Sequence, residues 1–218
     1  MCSCVQQVRR TMLDLFHQWG MPKAIRSDNG EPFGVPTRDV IPIMSLWLVA
    51  WGIKHILNRP RRPTDNANVE NNQGTSARWA DAYRCANVAQ LQERLDEAAR
   101  CQRETYKVTR LGKVTRKELF PELHDNPRKF DEGRFDENLA YELLSQAIYP
   151  RKVSSAGTIA LYSKNFSVGL KHKGTVVFCK FSPKDIAWLC LDRDQNILRA
   201  IPDDRFSKEN LYNLTVCQ

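Results

Sequence analysis

One acidic residue, Asp28, stands in a sequence context that fits either a turn or a chemical site. It lies in the stretch SDNGEPFG, residues 27–34. Asp-Asn-Gly is by itself an ordinary turn signal, because Asn and Gly tolerate positive φ and an Asp side chain caps its own backbone. The alternative is that the carboxylate carries chemistry. That interpretation needs support from other parts of the chain.

The cysteines and histidines do not form a recognisable metal or nucleophile pattern. Seven cysteines are scattered along the chain, and Cys2-x-Cys4 has no second Cys or His pair at zinc-finger spacing. Scattered cysteines of this kind indicate reduced thiols in a cytoplasmic protein. We expect structural or surface roles for the four histidines, at positions 17, 55, 124 and 172.

The charge balance favours a polyanionic partner. The 218 residues include 33 Lys and Arg against 25 Asp and Glu, which gives a net charge of +8. Such a balance is typical of proteins that bind nucleic acid or an anionic membrane surface. No apolar run approaches the ~20 residues that span a bilayer, and the N-terminus has no apolar stretch before its arginines. We therefore expect no membrane partner and no secretory signal.

Helical and strand patterns alternate through the first half of the chain, and this order predicts an α/β layer with a parallel component. The strand that is predicted next to Asp28 leads directly into it, and Thr64 and Asp65 are predicted to cap the third helix. The predicted elements are helices over 5–19, 40–51, 64–83 and after the cap Asn87, with strands over 23–27 and 53–57.

The second half changes character twice. From Arg103 to Lys117 basic residues face a single acid and no apolar stripe continues, which predicts a linker over about 108–150 with short helices near 115–119 and 136–145. Five β-rich runs separated by turns then predict a small, mostly antiparallel barrel. The runs are TIALY, FSVGL, TVVFCKF, IAWLCL and NILRAI.

Three segments of the first half resemble the catalytic core of integrases and transposases of the retroviral-integrase superfamily. They are FHQWGMPKAIRSDNGEPFG, WLVAWGIKHIL and RPRRPTDNANVENNQGT, and they occur in the order that the family shows. The C-terminal segments YPRKVSSAGTIALYSKNFSVGL and LRAIPDDRFSKENLYNL are similar to the barrel that follows this core in bacterial insertion-sequence transposases.

The resemblance implies an α/β RNase H-like (ribonuclease H-like) core that is incomplete at its N-terminus, a helical basic linker and a small Src-homology-3-like β-barrel. The corresponding domains are a partial integrase catalytic core over 1–107, the linker over 108–150 and the C-terminal β-barrel over 151–218.

The resemblance also implies a site. The family's second and third acidic residues fall on Asp28 and Glu70, which would be catalytic residues and ligands of Mg²⁺ or Mn²⁺ for two-metal phosphoryl transfer. Two carboxylates that share a metal pair must lie close together. The DNA-binding residues implied by the charge pattern and the motif are Arg59, Arg61, Arg62, Asn66, Arg78, Lys171 and Lys173.

Some positions depart from the family pattern. Ala67 replaces the usual glycine and Asn71 stands where many relatives carry arginine. The family's first acid lies on an earlier strand, and Asp14, within the first predicted helix, is not accepted as its substitute. The expectation is therefore a truncated transposase, or one whose start is assigned too far downstream, and no DNA cleavage or joining by this chain alone.

These features lead to one function and two alternatives. The function is DNA integration and transposition in the bacterial cytosol or nucleoid, with transposon ends and target DNA as partners and a homo-oligomer when intact. The first alternative is a non-catalytic DNA-binding remnant of a transposase. The second, a barrel that binds a partner protein, is disfavoured by the basic charge.

Overall fold

The computed structural model describes residues 3–34, 40–59 and 61–215, and these form two compact units. The sheet unit contains the described residues up to Asp14, those of Pro22–Leu57 and those from Asp131 onward. The helical unit contains Leu15–Met21 and the described part of Asn58–Phe130. The predicted domain boundaries at 107 and 150 follow a different division of the chain, and they stay a prediction.

The helices and strands are as follows, in chain order. The first half contains α1 (Ser3–Trp19), β1 (Ala24–Ser27), α2 (Ile43–Ala50), β2 (Lys54–Leu57), α3 (Ala67–Ala80) and α4 (Val88–Glu104). The second half contains α5 (Arg116–Leu119), α6 (Glu137–Gln146), β3 (Ile148–Lys152), β4 (Thr158–Leu161), β5 (Lys164–Ser167), β6 (Val176–Ser182), β7 (Ala187–Leu191), β8 (Ile197–Pro202) and α7 (Lys208–Asn213).

In the sheet unit, β1 and β2 pair in parallel, which is the parallel component that the alternating pattern predicts. Ile25 lies opposite His55 and Ser27 opposite Leu57. Helix α2 connects to β2 and is apolar on nearly every side, so most of its side chains are buried. Its Trp47 donates an indole hydrogen bond to the carbonyl oxygen of Tyr212 in α7, at 3.1 Å.

The C-terminal part of the sheet unit is antiparallel. Strands β3, β6, β7 and β8 form one sheet in the order β3-β6-β7-β8, and β4 pairs with β5. Residues 148–202 thus contain six strands, one more than the five predicted. The additional strand is β3, which contains Pro150. A proline is tolerated there because β3 lies at the edge of its sheet.

The helical unit contains α3, α4 and α5. Asn87 caps α4 as predicted, since its side chain accepts a hydrogen bond from the backbone N–H of Gln90 at 2.9 Å. The predicted caps of α3 are wrong. Thr64 and Asp65 belong to a 3-10 turn before the helix, and α3 begins after Asn66. The Asp65 carboxylate instead binds the guanidinium of Arg59.

Candidate metal and DNA site

Asp28 follows directly after the last residue of β1, and its side chain does form a turn. Its Oδ1 accepts a hydrogen bond from the backbone N–H of Gly30 at 3.2 Å. The side chain is exposed, and Oδ2 makes no hydrogen bond with any residue in the described part of the chain. The turn and the chemical interpretation are therefore compatible, because one oxygen closes the turn and the other faces solvent.

The backbone before Asp28 is held by a network of two serines and a histidine. The Ser27 hydroxyl donates to the carbonyl oxygen of Asp28 at 2.8 Å and lies 2.9 Å from Nε2 of His55. Nδ1 of His55 lies 2.7 Å from the hydroxyl of Ser45, which is buried in α2. A neutral ring that donates from Nε2 and accepts at Nδ1 satisfies all three groups. Burial lowers the pKa of His55 and so favours this neutral form.

Glu70 lies in the first turn of α3, where its backbone N–H donates to the carbonyl oxygen of Asn66 at 3.1 Å. Its side chain is exposed and forms no ion pair with another described residue. An acidic side chain in the first turn is also favoured by the positive end of the helix dipole. The Glu70 carboxylate is therefore available to bind a cation, and its position in the first turn also stabilises α3.

The donor chemistry of these two residues fits a hard divalent cation. Both carboxylates are exposed oxygen donors, and Mg²⁺ and Mn²⁺ prefer oxygen ligands. Asp28 belongs to the sheet unit and Glu70 to the helical unit, so their predicted proximity stays a prediction. Within residues 3–34, 40–59 and 61–215, no group of three or more His, Cys, Asp or Glu side chains could hold a metal ion.

The predicted DNA-binding residues near α3 differ in their availability. Arg59 donates from Nε and Nη2 to both carboxylate oxygens of Asp65, at 3.0 and 2.7 Å, and these hydrogen bonds raise its pKa. Arg61 and Arg62 are exposed, and Arg61 has a positive φ of 57°. Asn66 is half-buried at the start of α3.

The other predicted DNA-binding residues are exposed cations. Arg78 lies in the last turn of α3, with Nη2 at 3.4 Å from the hydroxyl of Thr75. Lys171 and Lys173 lie in the turn between β5 and β6, in the sheet unit. Phosphate contacts by all of these residues stay a prediction.

The sequence interpretation gave His55 a structural or surface role but did not identify its partners Ser27 and Ser45. Its position in β2 places it opposite Ile25 and on the same side of the strand pair as Ser27, two residues further along. The signal was the combination of a polar residue in each predicted strand with parallel pairing, because side chains two residues apart share a face.

Comparisons with protein-family models and with curated proteins find no match for this chain. Among the helices of the described residues, none is long and apolar enough to cross a membrane. The described cysteines are free thiols, and two of them, Cys179 and Cys190, are buried opposite each other on β6 and β7. Cys2 and Cys217 lie outside the described residues.

Proposed function

We propose that this chain is a protein of the integrase or transposase type, whose members act on DNA by metal-dependent phosphoryl transfer, with Asp28 and Glu70 as ligands of Mg²⁺ or Mn²⁺, and that with these two carboxylates alone it does not cleave or join DNA by itself. The proposal is carried by the position of Asp28 directly beyond the carboxyl end of a strand with a parallel neighbour. In open α/β sheets, ligands bind beyond the carboxyl ends of the strands.

Three further features support the proposal. The motifs around Asp28 and Glu70 resemble those of the integrase superfamily in type and order. Both carboxylates are exposed. The net charge of +8 favours a polyanionic substrate. Free thiols in the described part of the chain support a cytoplasmic location as part of the same proposal.

The chain's own residues would have separate tasks. Bound divalent metal ions would activate the attacking oxygen and stabilise the leaving oxygen. Asp28 and Glu70 would hold these ions, and the Ser27–His55–Ser45 network would fix the backbone that carries Asp28. The basic residues would bind the DNA backbone, since arginine and lysine contacts to phosphate supply most of the sequence-independent affinity.

Mn²⁺ binding to the purified chain, followed by water-proton relaxation, tests this proposal. Asp28→Asn and Glu70→Gln should each weaken Mn²⁺ binding about tenfold or more, as loss of groups at a metal site commonly does. Asp131→Asn is a matched control, because Asp131 is also exposed and also accepts the N–H of the second residue after it, Gly133, at 3.0 Å.

The control should leave Mn²⁺ affinity within about twofold of the unchanged chain. Equal affinities for Asp28→Asn and Asp131→Asn would show that Asp28 is only a turn residue. In that case duplex binding without metal chemistry, the non-catalytic alternative, would remain as the function.

A further inference from the structure

A cleft lies within the helical unit, between α3, α4 and the segment that leads into α5. Its volume is about 1040 Å³, slightly above the usual range for ligand pockets. None of the residues assigned to metal ligation lines it. The cleft is therefore a separate feature from the carboxylates of Asp28 and Glu70.

The charge of the cleft has one sign. No Asp or Glu is among its described lining residues. Four arginines line it: Arg78, Arg103, Arg110 and Arg116. None of the four forms an ion pair within the described part of the chain. The Arg116 Nη1 donates to the backbone carbonyl of Gln102 at 2.8 Å, which fixes its guanidinium at the cleft without neutralising it. Unneutralised arginines converging on one cleft favour an anion, and their planar fork suits phosphate.

The Nε–H donor of Arg103 has no hydrogen-bond acceptor in the described part of the chain. Its Nε is buried and has no hydrogen-bond partner among the described residues, while its guanidinium carbon lies 4.7 Å from the centre of the Trp19 ring. A buried donor without a partner costs free energy, and the cost is larger for a charged group. Because Arg103 also lines the cleft, its charge adds to the positive lining.

Two aromatic rings lie beside these arginines. Trp79 and Tyr106 line the cleft with their ring centroids 5.6 Å apart in an edge-to-face arrangement. Both side chains are substantially exposed, at 40% and 49%. Exposed rings next to arginines are the features with which proteins stack nucleic-acid bases beside their phosphates.

We propose that this cleft binds a nucleoside phosphate, with the phosphate on the arginines and the base on Trp79 or Tyr106. Amide side chains on the wall, including Asn72 and Gln73, can hydrogen-bond the edge of the base. A base inside a duplex cannot offer its face to a protein ring, so the matching nucleic acid is single-stranded. The inference shares Arg78 with the DNA contacts of the proposed function. It goes beyond that function because it does not depend on metal binding at Asp28 and Glu70.

Fluorescence anisotropy of a labelled 12-nucleotide thymidine oligonucleotide, with the full chain and without divalent metal, tests the cleft. The double variant Arg78→Gln/Arg110→Gln should weaken binding about tenfold or more, because it removes two exposed phosphate-binding cations. Arg193→Gln/Arg199→Gln removes the same charge from exposed arginines of the sheet unit, and it should change the affinity about twofold at most. Equal losses in the two double variants would overturn the proposal, since only the overall charge would then matter.

Base stacking has its own test. Tyr106→Leu keeps an apolar side chain but removes the ring, and together with Trp79→Leu it should weaken oligonucleotide binding about five- to a hundredfold. An abasic oligonucleotide of the same length should bind the unchanged chain correspondingly more weakly. If the abasic and thymidine oligonucleotides bind equally, the base is not recognised and the proposal fails.

The source of the nucleoside phosphate is decided by competition. Displacement of the probe by millimolar thymidine monophosphate, but not by inorganic phosphate, would identify a free nucleotide as a sufficient ligand. Displacement only by longer single strands would identify single-stranded nucleic acid. Displacement by duplex DNA alone would overturn the proposal. The Asp28→Asn chain should bind the probe unchanged, so failure of the metal site and failure of the cleft give different results.

Discussion

At the scale of single residues, the network around His55 makes the sheet unit sensitive to pH. Burial lowers the pKa of His55 below its ordinary 6.5, so the unfolded chain takes up a proton first as the pH falls. The stability that the neutral ring contributes is present above pH 6.5 and is lost as the pH falls through the lower pKa of the folded state. Chemical denaturation at a series of pH values should therefore show a loss below pH 6.5 that His55→Asn reduces. An identical pH dependence in both chains would contradict this role.

A second residue-scale prediction concerns a buried ion pair. Asp203 is fully buried, and Arg205 donates to both of its carboxylate oxygens at 2.7 Å, while the Trp188 indole donates to one of them at 3.1 Å. Arg205→Met would leave a buried carboxylate without its cation, and such a loss costs about 3–5 kcal/mol of unfolding free energy. Lys208→Met removes an exposed cation from its pair with the half-buried Glu137 and should cost less than about 1 kcal/mol. Similar losses in the two variants, measured by urea denaturation, would contradict the argument.

The sequence interpretation identified neither residue network. Asp28 stands out because its neighbours form a turn signal, which spacing shows directly. His55 and Ser27 meet only through the pairing of two strands, and 28 residues separate them. Asp65 was predicted as a helix cap, but Arg59 offers its carboxylate two charged donors instead of one backbone N–H.

At the scale of elements, the end of α1 depends on a glycine. Gly20 has a φ of +77°, and a Cβ there would lie 2.8 Å from the carbonyl oxygen of Arg128. Gly112, with a φ of +84°, has open space around the corresponding position. Gly20→Ala should therefore be more destabilising than Gly112→Ala by at least about 1 kcal/mol. Both substitutions place an alanine at positive φ, but only the Cβ at position 20 would also clash with the backbone of Arg128. Equal melting temperatures would show that the backbone of 126–128 yields without cost.

Most elements follow from local pattern, and the exceptions have local causes. Helix α4 could be predicted because its cap and apolar spacing both lie within its own sequence. Strand β3 could not be predicted in this way. A strand that contains Pro150 is tolerated because β3 lies at the edge of its sheet, and the order of strands in the sheet is not a local feature of the sequence. The burial of α2 likewise depends on elements distant in sequence, such as α6 and α7.

At the scale of the whole molecule, the net charge of +8 bears on affinity more than on fold. The sequence contains an excess of basic side chains. In the structure, the residues that are predicted to contact DNA are divided between the two compact units. Arg61, Arg62 and Arg78 belong to the helical unit, whereas Lys171 and Lys173 belong to the sheet unit. If both groups bind phosphates, each should contribute separately to the dependence of DNA affinity on salt.

A salt titration of duplex DNA binding tests this division. Each phosphate contact adds about 0.9 to the slope of log affinity against log salt concentration, because neutralising a phosphate releases condensed counterions. Lys171→Gln/Lys173→Gln should therefore lower the magnitude of the slope by about 1.8. Arg84→Gln/Lys129→Gln removes the same charge from two cations that already form ion pairs, and it should leave the slope nearly unchanged. An equal decrease in both variants would mean that the slope reports only net charge, and an unchanged slope in the first would remove Lys171 and Lys173 from the DNA-binding surface.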